Sequence, residues 1–206
     1  MNKKGQAPKR IRLKHDFFKR DVLEVAPDLI GKILVRKLDD GTEIRSRIIE
    51  DEAYRAPDDL SCHASKGRTP KTEIFFHEGG HLYIFLCYGI HFMLNIVTSI
   101  EENPQAVLIR SVEGAIGPGK VTKFLHLDSS FYGEDTEVSK RFWVEDDGTK
   151  LDFQTGPRIN IDYAGEPWIT MPWRFFTEEV ANHGAKPTLK AQQAMKKKEK
   201  QKMNND

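Results

Sequence analysis

Residues 21–54 read "DVLEVAPDLIGKILVRKLDDGTEIRSRIIEDEAY", and the architecture of the chain follows from this stretch. Leu23 to Ile30 carries apolar residues at helical spacing, and Gly31 stands where a helix is commonly closed in a left-handed conformation. "KILVRKL" and "EIRSRIIEDEAY" then flank "DDGT", in which Asp40-Gly41 is a strong two-residue hairpin signal. The pattern predicts a short helix followed by two antiparallel strands. The second strand ends in three successive acids, Glu50, Asp51 and Glu52, followed by Tyr54. Alternation along a strand puts Ile48, Glu50, Glu52 and Tyr54 on one side and Asp51 on the other. If the Ile48 side is the core side, Glu52 enters a partly apolar site, where burial raises the affinity of a carboxylate for protons. Glu50 and Asp51 are then structural or solvated.

Outward from this hairpin, residues 55–72 form a polar connection with Pro57, Gly67 and Pro70, of a length that is usually functional or disordered. "HEGGHLYIFLCYGIHFMLNIVTS" follows, broken at Tyr88-Gly89 into two strand-like halves, which predicts a protruding hairpin with an aromatic at its tip. "QAVLIRSVEG" adds a strand, and "GPGKVTKFLHL" runs from a Gly/Pro loop into a helix whose first turns hold Lys120 and Lys123. A helix start of this kind is a candidate phosphate contact. "RFWVEDDGTKLDFQTGPRINI" supplies a second Asp-Gly turn between two strands, and the segment from Ala185 onward is lysine-rich, helical or disordered. The expected fold is a single α/β (α+β) domain with a curved, mainly antiparallel sheet, surrounding helices and a protruding β-hairpin. Its expected division is a basic arm over 1–16, a folded body over 17–185 and a lysine-rich tail over 186–206.

With 206 residues, the chain is long enough for one well-buried core. No secretory leader is evident in "MNKKGQAPKRIRLKHDFFKR", and the apolar run from Leu82 to Val97 is too short and too interrupted for a membrane helix. Two cysteines, Cys62 and Cys87, suggest a reducing compartment. The expected location is the cytoplasm. The net charge of +1 hides a strong asymmetry. Residues 1–20 carry eight bases against Asp16, and 186–206 carry seven lysines against Glu199 and Asp206. Between them lie 17 bases and 28 acids, so an acidic body is flanked by basic ends. Basic ends attract nucleic acid by releasing phosphate counterions, although lysine tails also serve solubility alone.

Several chemistries lose their sequence support. Cys62, His63, His77 and His81 approach a zinc spacing, but an adjacent Cys and His seldom both reach one ion. His63 is better placed to stack on or hydrogen-bond to a ligand. There is no G-x-S-x-G elbow, no phosphate-cradling loop and no dinucleotide fingerprint. What remains between 52 and 110 is a set of flat rings (Tyr54, His63, Phe85, Tyr88), one acid (Glu52), one amide (Asn95) and two cations (Arg68, Arg110). Each also has a plain structural reading: Phe85 as core, Asn95 as a backbone partner, Arg110 as a surface mate for Glu113.

Taken together, "IIEDEAY", "SCHASKGRTPKT", "GGHLYIFLCYGIHFMLNIV", "AVLIRSVEG", "GPGKVTK" and "TGPRINIDYAG" resemble, in order, the motifs of the alkyladenine (3-methyladenine) DNA glycosylase family. The resemblance runs from about residue 17 to 175. It implies a monomeric, monofunctional hydrolase of base excision repair, working on double-stranded DNA with damaged purines, without metal, cofactor or membrane. Such an enzyme extrudes the nucleotide before acting on it. By the same resemblance Glu52 activates the attacking water and Arg110 lies near that water. Tyr54, His63, Phe85 and Asn95 form the base pocket, Tyr88 intercalates, and Arg68 and Lys120 contact the DNA backbone. Phe85 departs from the tyrosine usual at its position, and "TEIFF" departs from a usual methionine before phenylalanine. Two rivals to this reading are a catalytically silent nucleic-acid binder and a metal-dependent nucleoside or nucleotide hydrolase using His63, His77 and His81.

Overall fold

The thirteen-residue strand predicted from the opening hairpin is the spine of the molecule. In the computed structural model, which describes residues 10–203, the elements begin with β1 (Ile11–Arg12), α1 (His15–Phe18) and α2 (Val22–Leu29). The hairpin follows as β2 (Ile33–Lys37) and β3 (Glu43–Arg55). Next come β4 (Leu82–Cys87), β5 (His91–Thr98), β6 (Gln105–Val112), β7 (Ala115–Ile116) and α3 (Pro118–Phe124). The chain continues through β8 (Phe142–Asp146), β9 (Gln154–Gly156), β10 (Arg174–Phe176), α4 (Glu178–His183) and α5 (Leu189–Met203). The strands form one sheet in the order β1-β8-β2-β3-β6-β5-β4, with β10 and β9 added beside β3 and β7 beside β6. Every pairing is antiparallel.

β3 is shared between two halves of the sheet. Residues 43–47 pair with β2, whereas 48–55 pair with β6 on the opposite edge and 50–52 with β10. At the hand-over the register with β6 shifts twice, between Ile48 and Glu50 and again between Glu50 and Asp51. Ile49 is an extra residue on β3 and Arg110 an extra residue on β6. Such bulges bend a sheet and re-aim side chains, which gives the curvature the sequence led us to expect.

The bulge corrects one expectation. Ile48 does not share a face with Glu52: it packs in the main core with Ala53 and Ile109, while Tyr54 packs against a second, smaller cluster. An inserted residue reverses the alternation on which that expectation rested. The main core joins α2, whose N-cap Asp21 accepts from Leu23 N, to one face of the sheet. The smaller cluster (Ala56, Cys62, Ala64, Ile74, Phe75, Tyr83, Val97, Ala106) lies on the other face, beneath the short 3-10 turns at His63–Lys66 and Glu73–Phe76. Burial on both faces explains the mainly apolar residues at the body ends of β4 and β5, Leu82 to Ile84 and Leu94 to Val97, whereas Leu86 and Ile90 near the tip are exposed.

The β4–β5 hairpin ends at Tyr88-Gly89, both with positive φ (51° and 71°), closed by Ile90 N donating to Cys87 O at 3.0 Å. Two successive left-handed residues match the twist of a two-residue hairpin turn. The lysines at 3, 4 and 9 of the basic N-terminal stretch lie outside the described residues. Arg12 is built into the fold, donating to Thr136 O and Ser139 O. Among the described residues no helix is long and apolar enough to cross a membrane.

Candidate active site

Antiparallel register brings the candidate residues onto one face. Arg174, Glu52, Leu108, Asn95 and Tyr83 are successive cross-strand partners on β10, β3, β6, β5 and β4. Partners in register share a face, and neighbouring strands are about 4.8 Å apart, so Glu52 and Asn95 stand about 10 Å from each other across Leu108. Two residues along each strand, the same face carries Tyr54 and Phe85. This is the face with the smaller core cluster, against which Tyr54 and Phe85 are half-buried.

Glu52 is fully buried. Its Oε1 accepts from Ile159 N at 2.7 Å, and its Oε2 from the Tyr54 hydroxyl at 2.7 Å and Arg110 Nη1 at 3.3 Å. A carboxylate has about four acceptor positions, so one on Oε1 remains for a water or substrate hydroxyl. Arg110 does not pair with Glu113 at the surface. Only 6% exposed, it bridges Glu52 and Glu50, reaching Glu50 Oε1 through Nε at 3.0 Å. Glu50 also accepts from Arg174 Nε at 2.6 Å and from the Ser111 hydroxyl. Arg174, Glu50, Arg110 and Glu52 thus form a ladder of alternating charge, which keeps buried ions from standing uncompensated. Burial pulls the Arg110 guanidinium down, but Glu52 and Glu50 outweigh it and hold its pKa above the ordinary value. Burial and the adjacent Glu52 carboxylate push the Tyr54 phenol well above its ordinary value, so Tyr54 remains a hydrogen-bond donor.

A second buried ion pair supports the first. Arg158 Nη1 and Nη2 grip both oxygens of Asp59, the latter at 3.0 Å, and Nη1 also donates to Ala53 O at 2.9 Å. Its guanidinium lies over the rings of Tyr54 and Trp173, 4.7 and 5.0 Å from their centroids. Because Ile159 is the next residue, this clamp also fixes the N–H that holds Glu52 Oε1. The sequence reading missed Arg158, Asp59, Arg174 and Tyr83. Only Tyr83 left a local signal, two positions from Phe85 and therefore on its face.

The rings assemble around Phe85. Tyr83 stacks on it with centroids 5.3 Å apart, and His63 meets it edge-on at 4.6 Å. His63 Nδ1 is 2.8 Å from the Tyr83 hydroxyl. Burial of its inner edge, with Lys71 and Lys66 nearby, lowers the His63 pKa and favours the neutral imidazole. The Lys71 ammonium sits 5.4 Å from the Phe85 centroid. Asn95 donates Nδ2 to Tyr83 O at 3.0 Å, which leaves its Oδ1 without a donor among the described residues. The plain reading of Asn95 as a backbone partner is therefore met by one end of its amide only.

Other candidates lie further out. Tyr88 is 92% exposed at the hairpin tip, with Ile90 71% exposed beside it. Arg68 is at the surface over the ring of Phe76, ion-paired with Glu73 and Glu102. Lys120 is exposed in the first turn of α3, whose preceding Gly117 donates to Ser111 Oγ at 3.1 Å and so links that turn to Glu50. Lys120 borders a concavity of about 800 Å³ that also meets Lys123, Phe124 and His126 and is not lined by Glu52. His77 and His81 lie 5.8 Å apart, centroid to centroid. No three His, Cys, Asp or Glu side chains among the described residues are grouped to hold a metal ion.

Asp51 is fully buried on the opposite face of β3, and neither carboxyl oxygen has a hydrogen-bond partner among the described residues. Burial first, then Glu50 and Glu52, push its pKa well above the carboxylate range. It is a structural acid held neutral rather than a solvated one.

Comparison with known proteins places the chain in a family. The family model for methylpurine-DNA glycosylases matches residues 16–116 and 114–181. The chain is 43% identical over 183 residues to a Psychrobacter cryohalolentis protein named "Putative 3-methyladenine DNA glycosylase", covering 75% of this chain and 86% of that one. A Natranaerobius thermophilus protein of the same name is 36% identical over 193 residues, covering 82% and 96%. Another from Methanocella arvoryzae is 40% identical over 184 residues, covering 80% and 91%.

Proposed function

Since the chain belongs to the methylpurine-DNA glycosylase family, we propose that it hydrolyses the N-glycosidic bond of alkylated purines in double-stranded DNA. The observation that carries this reading is the buried Glu52 carboxylate, which accepts from three donors yet keeps one acceptor position, in a row with Leu108, Asn95 and Tyr83.

The steps follow from that geometry. The damaged nucleotide leaves the stack and its base enters the ring cluster of Tyr54, His63 and Phe85, where stacking on aromatics is worth about 1–3 kcal/mol. A water on the free position of Glu52 Oε1 gives its proton to the carboxylate as its oxygen attacks C1′ of the sugar. The C1′–N bond breaks with its electron pair going to the base. An alkylated purine is cationic and leaves as a neutral molecule, so no general acid is required. Glu52 also offsets the positive charge that develops on the sugar. Arg110 and Arg158 act through Glu52 and Tyr54 as positioning residues. Asn95 Oδ1, which has no donor among the described residues, serves as an acceptor toward an incoming base, and Tyr88 fills the gap left in the duplex. Hypoxanthine and ethenoadenine are further candidate substrates, and for neutral bases such as hypoxanthine departure is slower without a proton donor.

The test is incubation of the purified protein with duplexes that each carry one defined lesion, followed by alkaline cleavage of abasic sites. Strand breaks at 3-methyladenine-class lesions, undiminished in excess chelator, are expected. Absence of breaks at every alkylated purine, with duplex binding intact, contradicts the proposal in favour of a silent binder. Loss of breaks in chelator contradicts it in favour of a metal-dependent hydrolase.

A further inference from the structure

We propose that the outer face of α5 is a second duplex-binding surface, a row of lysines that grips phosphates beside the catalytic cleft. The inference rests on the glycosylase reading for its partner, double-stranded DNA. It concerns a part of the chain that the six motifs and the family match, which ends at residue 181, do not reach.

α5 is a fifteen-residue helix with two unlike sides. Ala191 is buried, and Ala194 and Met195 are half-buried against the body. Lys198 closes this side, its Nζ 2.9 Å from Glu166 Oε2 and 2.6 Å from Thr170 Oγ1. Gln193, Lys196, Lys197, Lys200 and Gln201 recur at spacings of three and four residues and share the opposite side. They are exposed and flank a shallow concavity of about 460 Å³. Lys196, Lys197 and Lys200 form no ion pair with any described residue. Like charges four apart, as in Lys196 and Lys200, destabilise a helix, so folding alone does not account for this face.

The helix is also anchored next to the reaction centre. Thr188 Oγ1 donates to Asp162 Oδ1 at 2.6 Å and Lys190 Nζ to Asp162 O at 2.8 Å. Asp162 is three residues from Ile159, whose N–H holds Glu52. A helix of fifteen residues is about 22 Å long, and its contacts run from Asp162 to Glu166 and Thr170, so the lysine face lies along this segment of the body. Its chemistry selects nucleic acid over a lipid surface. A membrane-bound helix needs a broad apolar face beside its bases, and here the exposed apolar side chains, Leu189 and Met203, stand at opposite ends.

The experiment compares the full chain with K196Q/K197Q/K200Q and with a control of equal charge change at remote exposed lysines, K37Q/K140Q/K150Q. Binding to an undamaged duplex is measured by fluorescence anisotropy from 50 to 300 mM KCl. Each phosphate no longer neutralised should reduce the slope of log K against log salt by about 0.9, close to eightfold in affinity at 0.1 M. The α5 variant should therefore bind at least roughly tenfold more weakly at 0.1 M salt, the control should match wild type, and K196R/K197R/K200R should restore binding. An unchanged slope for the α5 variant, or an equal change in the control, overturns the proposal. So does charge-dependent binding of the α5 face to phosphatidylserine vesicles without any effect on DNA. Single-turnover excision at saturating enzyme separates the two readings: it should be the same in wild type and variant. Its absence from both, with the slope change present, sinks the glycosylase assignment and leaves α5 as a DNA contact.

Discussion

Glu52 and Asp51 are consecutive on β3 and both wholly buried, yet the two faces of the strand treat them oppositely. On one face Glu50 and Glu52 each accept from three donors, drawn from Arg110, Arg174, Ser111, Tyr54 and Ile159. On the other, Asp51 meets the apolar core and finds no donor among the described residues. Burial alone does not decide the charge of a carboxyl group; the donors that accompany it do. The donor-rich face holds a carboxylate in place away from water. The donor-poor face stores a proton.

The comparison can be broken most forcefully at the Arg158–Asp59 clamp. Removing one partner of a buried pair costs about 3–5 kcal/mol. R158M should therefore lower the melting temperature by roughly 6–20 °C, at about 2–4 °C per kcal/mol for a chain of this size. R158M/D59L should recover part of the loss, and calorimetry on the three proteins checks both. A single variant that melts like wild type shows that buried charge here needs no partner.

Arg110 is the next largest. R110M leaves both Glu50 and Glu52 short of a donor. Single-turnover excision should fall about a hundredfold, the scale for one positioned donor, and R110K should recover part of it. Excision by R110K no faster than by R110M assigns Arg110 a packing role.

Tyr88 tests the hairpin. Y88G removes a ring that is 92% exposed and relieves a positive φ of 51°. Stability should stay level or rise, while excision from duplexes falls about tenfold, the equivalent of one stacked ring. A fall in stability with excision intact makes Tyr88 a structural turn residue.

The smallest effect sharpens the contrast at Asp51. Its native pKa is raised, so between the ordinary carboxylate range and that raised value the unfolded chain is ionised while the native chain keeps its proton. Native stability therefore falls as pH rises through this window. D51N has no such proton to hold and should gain a few degrees in melting temperature at pH 8 relative to pH 5, compared with wild type over the same interval. A constant difference between the two proteins at all pH values places an ionised Asp51 in the native state.

How much of this was legible in the sequence depended on the range of the interaction. Local signals carried the fold. Asp40-Gly41 and Tyr88-Gly89 marked two hairpins, Gly31 closed α2, and the apolar run of residues 82–97 became two strands buried at their body ends and exposed at the tip. Of the residues singled out from the sequence, Glu52, Tyr54, Phe85 and Asn95 lie on one face by register, and His63 meets Phe85 from a 3-10 turn. The bulged Ile49 and Arg110 were not legible, because an inserted residue has no marker in a strand of β-branched and charged side chains. That single step put Ile48 on the wrong side. The Arg158–Asp59 pair spans 99 residues, and only tertiary structure brings its halves together. The neutrality of Asp51 depends on donors that are absent, which no pattern of residues along a chain expresses.

The central claim is that β3 supplies one of its acids with donors for chemistry and leaves its neighbour without them, for packing. Single-turnover excision of a 3-methyladenine-class lesion by E52Q and D51N, with duplex affinity measured alongside, tests it most directly. E52Q should lose at least about a thousandfold in rate, within the span of general-base catalysis, and still bind duplex DNA as wild type does; D51N should cut normally. Near-normal cleavage by E52Q, or a loss confined to D51N, contradicts the account.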